Sequence, residues 1–194
     1  MTAPSVTSLG RLPEDLPAPP DDGAANHLAG MLLPPVTLPA TNGSAVDLAS
    51  LRGRHVIYIY PMTGRPGIPL PDGWDAIPGA RGCTPQSCAF RDHHAELATL
   101  GASVFGLSTQ DSDYQREAQA RLHLPFPLLS DDALRLKAAL RLPTFVADSR
   151  ELYRRLTLVT EDAHIVKVFY PVFPPDRNAR DVLGWLAANT RCNT

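Results

Sequence analysis

Cysteine is scarce in this chain. Three stand among 194 residues, too few for the disulfide framework that staples small secreted domains together, and no two have the Cys-x-x-Cys spacing. Strong charge of either sign is also lacking. The formal net charge is −2 and 20% of residues are charged, which argues against nucleic acid as a main partner. No apolar run approaches the ~18 residues a membrane span needs. The start of the chain lacks the basic-then-apolar order of a secretory leader, and there are no internal repeats. Metal-ligand spacing is missing too: two cysteines lie five apart, and His93 and His94 follow without a standard interval. Neither a metal nor a bound cofactor is expected. What survives these exclusions is one domain with a sizeable core, in a cytoplasmic, reducing compartment, where a close cysteine pair is more often catalytic than structural.

Proline, by contrast, is plentiful. Twenty are present, and they gather at 1–40, 61–85 and 171–175. Residues 1–30 read as a Pro-rich extension, a partly ordered tail for which Leu12-Pro13 and Leu16-Pro17 offer anchors. Residues 31–190 read as the folded domain. Asn42-Gly43 between Val36-Thr37-Leu38 and Ala45-Val46-Asp47-Leu48 predicts an N-terminal β-hairpin. Residues 55–60 (Val-Ile-Tyr-Ile-Tyr after His55) have the β-branched and aromatic character of a buried central strand. A long irregular segment then runs to Gly82; its Pro, Trp and Ile content predicts a packed loop. Beyond it helices are expected near 85–100, 112–122, from Asp131 or Asp132 to Leu140, and at 177–190. The last would carry Val182, Leu183, Leu186 and Ala187 on one face. Strands are expected at 102–108, 126–129, 155–160 and 164–170, the last two as a hairpin, with Pro143-Thr144-Phe145 as a connection. Alternating elements of this kind make a three-layer α/β arrangement.

The densest chemistry lies in Gly82-Cys83-Thr84-Pro85-Gln86-Ser87-Cys88-Ala89-Phe90-Arg91-Asp92. Thr84 suits an N-cap and Pro85 the first helical position. Phe90, Leu97 and Leu100 continue a helical period of about four turns, and Gly101 supplies a stop. Cys83 therefore stands at a helix start, where unpaired N–H groups and the helix dipole favour a thiolate; Arg81 adds a nearby cation. Cys88 would lie roughly 8–9 Å away between Cα atoms in an intact helix, beyond disulfide reach, so the two can bond only if the first turn unwinds. Two inert buried thiols fit the same spacing.

These residues resemble those of the peroxiredoxins, in particular the bacterioferritin-comigratory-protein (PrxQ) type. The similarity runs on through Val56-Ile57-Tyr58-Ile59-Tyr60-Pro61, Val104-Phe105-Gly106-Leu107-Ser108-Thr109, Phe126-Pro127-Leu128-Leu129-Ser130-Asp131 and Arg155-Leu156-Thr157-Leu158-Val159, covering about residues 30–188 in the family's order. It implies a thioredoxin fold with a central mixed β-sheet. It implies a thiol-dependent peroxidase of hydrogen peroxide and organic hydroperoxides, with Cys83 as the peroxidatic nucleophile and Cys88 as the resolving thiol. The product would be an intramolecular Cys83–Cys88 disulfide, recycled by a thioredoxin-type dithiol, in a chain that works as a monomer. Arg155 matches the family arginine, and Arg154 beside it should face the other way. A non-enzymatic redox sensor or a thiol–disulfide oxidoreductase would use the same pair of cysteines.

The family motif Pro-x-x-x-Thr/Ser-x-x-Cys is broken in one place. Counting back from Cys83 gives Ala80 and Ala76. Pro61 and Thr63 stand instead ahead of the long loop, and are the candidates for the missing proline and hydroxyl if the loop returns beside them. Otherwise the loop is a surface insertion with Thr63 in solvent. Cys192 has no assigned role.

Overall fold

The computed structural model describes residues 9–189. Its centre is a five-stranded mixed sheet formed by β3 (Arg54–Ile59), β4 (Ala102–Ser108), β5 (Leu128–Ser130), β8 (Leu156–Glu161) and β9 (His164–Phe169), in the order β5-β4-β3-β8-β9. β3 runs parallel to β4 and antiparallel to β8, with Ile57 opposite Phe105 on one side and Leu158 on the other. The period-2 geometry of a strand sends alternate side chains to opposite faces. Val56, Tyr58 and, just past the strand, Tyr60 pack with Phe90, Leu97, Val182 and Leu186. Ile57 and Ile59 pack with Leu38, Leu136, Leu140 and Ile165. Both faces are buried, which is why this strand carries no charged residue after His55.

Helices α1 (Cys83–Asp92), α2 (His94–Thr99) and α5 (Asn178–Ala188) contribute side chains to the first face. Helix α4 (Arg135–Leu140) and the hairpin β1 (Thr37–Pro39) with β2 (Ala45–Asp47) contribute to the second. Helix α3 (Ser112–Arg121), capped by the Asp111 carboxylate on the Tyr114 N–H, packs beside β5. The result is the three-layer α/β arrangement expected.

Four expectations are corrected. Helix α1 starts two residues earlier than the Thr84 cap predicts. The residue before it is Gly82 at φ 105°, so the chain turns in through a left-handed glycine, and Cys83 is the first helical residue. The predicted four-turn helix is two, broken at His93, whose N–H still bonds Ala89 O and whose carbonyl still accepts from Leu97. Residues 144–153 form a hairpin, β6 (Thr144–Ala147) with β7 (Arg150–Tyr153), rather than a connection. On α5 the buried face is Ala179, Val182, Leu183 and Leu186, and Ala187 is exposed.

The long loop is packed. Trp74 opens a 3-10 turn (Trp74–Ala76) and is buried with Met62, Ala80, Ala147 and Leu152, its ring 6.1 Å from that of Phe145. The loop thus lies on the β6–β7 hairpin and returns the chain to Cys83. Residues 9–30 form a strap anchored at a few points, with Leu9, Ala25 and Leu28 buried. Leu28 is fully buried in the same cluster as Leu33 and Ile165, and Asp22 accepts from the Tyr170 hydroxyl at 2.8 Å. Among the described residues no helix is long and apolar enough to cross a membrane.

Candidate active site

Cys83 is 3% exposed and holds the first position of α1. The first turn of any helix leaves N–H groups outside the helical ladder, and Cys83 stands at that end, its thiol 3.6 Å from the Ala80 carbonyl oxygen. The cation comes from across the sheet. Arg155 sits between β7 and β8, 3% exposed, and its Nη2 lies 3.2 Å from Cys83 Sγ. The same nitrogen faces the carbonyls of Gly79, Ala80 and Arg81 at 3.1–3.2 Å, which line the return of the long loop. Nη1 donates to Gln86 Oε1. A planar guanidinium fork can do both at once, one arm fixing the geometry while the other meets the sulfur.

Gln86 is held in turn. Its Nε2 donates to Asn178 Oδ1 at 2.9 Å, and that oxygen also accepts from Thr157 Oγ1 at 2.7 Å. All three side chains are buried. Composition and motif reading single out none of them, yet Gln86 stands one helical turn after Cys83, on the same face. That spacing is the signal by which it is recognisable. Further along the same face of α1, Tyr58 stacks on Phe90 with centroids 4.5 Å apart and donates to Ser87 Oγ at 3.1 Å, fixing the helix against β3.

Cys88 is half-buried, and it and Cys83 are both free thiols. Burial pushes the Cys88 thiol up, against a smaller opposing pull from Arg91. The two sulfurs are thus in different environments, one beside a buried guanidinium and the other half-buried.

Arg81, expected as the neighbouring cation, lines the cleft, but its Nη1 pairs with Asp75 at 3.1 Å. Arg154 points away, towards Asp22 at 3.5 Å. Pro61 is buried at the end of β3, and its carbonyl accepts from Ser108 Oγ at 3.0 Å. Thr63 is 1% exposed, so it is not a solvent-facing residue. Its hydroxyl donates to Gln110 Oε1 at 3.0 Å, and the same oxygen takes its N–H at 2.9 Å. Met62 and Gly64 on either side of it line the cleft of Cys83, while the Thr63 hydroxyl and N–H are both taken up by Gln110. The hydroxyl proton is therefore committed to Gln110 and not to the sulfur. Cys192 lies outside the described residues. Among those described, no group of three or more His, Cys, Asp and Glu side chains is arranged to hold a metal ion.

The redoxin family pattern matches residues 28–183. A chloroplast peroxiredoxin Q of Oryza sativa subsp. japonica is 31% identical over 156 residues, covering 79% of this chain and 64% of that protein. A chloroplast peroxiredoxin Q of Sedum lineare is 30% identical over 156 residues, covering 79% and 75%. The chain thus spans somewhat under two thirds of the length of the rice relative. Of solved structures, peroxidoxin BcpB from Mycobacterium tuberculosis gives a TM-score of 0.67 at 25% identity, over 83% of this chain and 97% of that one. A Xanthomonas campestris peroxiredoxin Q gives 0.63 at 20% identity, over 91% and 99%, a likeness of fold. With its thiol at a helix start and this three-layer sheet, the chain belongs to the redoxin family. Within it, the type is that of the peroxiredoxin Q and bacterioferritin comigratory proteins.

Proposed function

We propose that this protein is a thiol-dependent peroxidase with Cys83 as nucleophile, Cys88 as resolving thiol and Arg155 as the cation that holds the reacting sulfur. The observation that carries the reading is Arg155 Nη2 at 3.2 Å from Cys83 Sγ, beside a helix start whose dipole favours negative charge. The Cys83 thiolate attacks one oxygen of a hydroperoxide, the O–O bond breaks, and sulfur gives up two electrons to become a sulfenic acid. The other oxygen leaves with a proton as water or an alcohol. Charge builds on that leaving oxygen, and the guanidinium with the N–H groups at the start of α1 are the donors within reach. Cys88 then delivers its thiol to the sulfenic acid, forming the disulfide and releasing water. An external dithiol of thioredoxin type returns both sulfurs to thiols by exchange, itself leaving as a disulfide. Such recycling suits a reducing, cytoplasmic compartment. Each step needs one copy of the chain, in keeping with a monomer.

The test is peroxide consumption with a thioredoxin regenerating system. Cys83→Ser is nearly isosteric and should fold, and its turnover should fall below a tenth of wild type, a loss of more than about 1.4 kcal/mol of transition-state stabilisation. Turnover above that level removes Cys83 from the role of nucleophile.

A further inference from the structure

The cleft above Cys83 is walled by Leu9, Met62, Gly64, Leu70 and Trp74, with the thiol at its end. All but one of these come from the loop after β3. Leu9 comes from the opposite direction, out of the N-terminal strap, and is only 4% exposed. With Leu9 seated the cleft retains about 10 Å³ of free volume, at the lower limit of what a single water requires. The organic group of an alkyl or aryl hydroperoxide is far larger than water, so it finds no place in this cleft while Leu9 is seated.

The seat is built for the strap. Gly64 has no left-handed backbone to explain it; a Cβ there would stand 2.5 Å from Leu9 Cδ2 and 3.2 Å from Leu70 Cδ2. A Cβ on Gly82, immediately before the nucleophile, would meet Pro175 Cγ at 2.3 Å and Leu12 Cδ2 at 2.8 Å, and one on Gly79 would meet Pro19 Cγ at 3.3 Å, but the left-handed backbone of both (φ 105° and 77°) already calls for glycine. Gly64 is therefore the glycine that the close approach of Leu9 and Leu70 explains by itself. Below the site the strap is tied by Asp22 to Tyr170 and Arg154, and by Leu28 to the core.

We infer that Leu9 is a specificity-determining stopper: its side chain fills the apolar seat into which the organic group of a hydroperoxide must fit, and it withdraws when such a substrate binds. This deepens the peroxidase reading and rests on it. An apolar organic group replaces the contacts that Met62, Leu70 and Trp74 lose when Leu9 leaves; hydrogen peroxide has no group to put there.

Two variants of the full chain, Leu9→Ala and Leu9→Asp, test this. The first empties the seat and the second makes burial of residue 9 costly. Alkylation of Cys83 by N-benzylmaleimide is followed by peptide mapping in a Cys88→Ser background, so that one thiol reacts per peptide. It should accelerate on the order of tenfold in both variants, the scale of one buried leucine. Stopped-flow oxidation of Cys83 should show the cumene hydroperoxide rate rising relative to the hydrogen peroxide rate. Unchanged alkylation in both variants overturns the stopper. Equal acceleration by the two peroxides overturns the organic seat. Faster alkylation with no peroxide consumption by any form, wild type included, upholds Leu9 as the cover and removes the peroxidase reading instead.

Discussion

Arg155 does two things with one guanidinium: it meets Cys83 Sγ with Nη2 and Gln86 Oε1 with Nη1. Lysine keeps the charge but has a single ammonium head, which cannot span both partners from one position. Arg155→Lys should therefore slow oxidation of Cys83 by peroxide about tenfold or more, the scale of one lost charge-assisted bond of about 1.5–3 kcal/mol. Arg154→Lys, whose parent side chain faces Asp22, should leave that rate near wild type. Single-turnover kinetics on both variants check this; the reverse pattern would make Arg154 the functional cation. Gln86→Ala should show a smaller loss than Arg155→Lys, because the guanidinium keeps its charge and its loop carbonyls but is no longer held from α1. At this scale the pairing of Cys83 with Arg155 was legible because both residues stand in short motifs. Gln86, Asn178 and Thr157 were not, since a buried amide network depends on which elements meet, and 92 positions separate Gln86 from Asn178. Thr63 gives its hydroxyl proton to Gln110, a partner 47 positions away that no motif count could supply.

On the proposed reading, helix α1 is the element that must change when Cys88 meets Cys83. Its ten residues hold the Cα atoms of Cys83 and Cys88 about 8–9 Å apart, against the roughly 4.4–6.8 Å usual for a disulfide. Oxidation should accordingly give a Cys83–Cys88 disulfide with loss of the first turn, and with it the Gln86 N–H bond to Gly82 O at 3.0 Å. Peptide mapping with hydrogen exchange across residues 83–92 reads both; a Cys83–Cys192 link, or a fully protected first turn in the oxidised form, would refute it. The N-terminal strap has its own control. The Tyr170 hydroxyl and the Ala24 N–H, with Arg154 adding less, hold the Asp22 carboxyl below its usual range, while burial and the Asp22 bond push Tyr170 up to about 12. A depressed carboxylate pKa contributes stability that is complete above the unfolded value near 3.9 and is lost as pH falls through the folded value. The difference in urea midpoint between wild type and Asp22→Asn should thus be present at pH 7 and shrink below about pH 4. A gap that persists unchanged at about pH 3 would show that the tie is not carried by the carboxylate. Elements with a strong period were legible from residues alone: β3, β4, the β8–β9 hairpin and α5. The β6–β7 hairpin was not, because its turn runs through Asp148 and Ser149 at positive φ without the Asn-Gly or Asp-Gly signal that marks β1–β2.

At the scale of the molecule, the question is where the fold begins. Composition sets residues 1–30 apart as a Pro-rich extension, and the family pattern starts at residue 28. Packing draws no line there. Leu28 is 0% exposed and belongs to the cluster of Leu33, Leu140 and Ile165. His27 Nε2 lies 2.8 Å from Leu140 O, and Gly30 N–H donates to Ile165 O at 2.8 Å. Proline-rich composition misleads here because it reports a lack of regular hydrogen bonding, not a lack of burial; a chain without helix or strand still fills a groove when a few leucines fall in register with it. One substitution separates the two views. If residues before 31 only drape over a finished domain, Leu28→Ala costs a few tenths of a kcal/mol. If Leu28 is core, the cost is that of a buried leucine with the cavity it leaves, about 2–5 kcal/mol. The packing requires the second, read as a fall in urea midpoint at unchanged slope. The same variant should leave the Arg155–Cys83 pair undisturbed, since Leu28 and Cys83 belong to clusters on opposite faces of the sheet. Its single-turnover rate of Cys83 oxidation, measured well below the unfolding transition, should match wild type; a rate that falls along with stability would mean that the strap's anchor, and not its tip, governs the site.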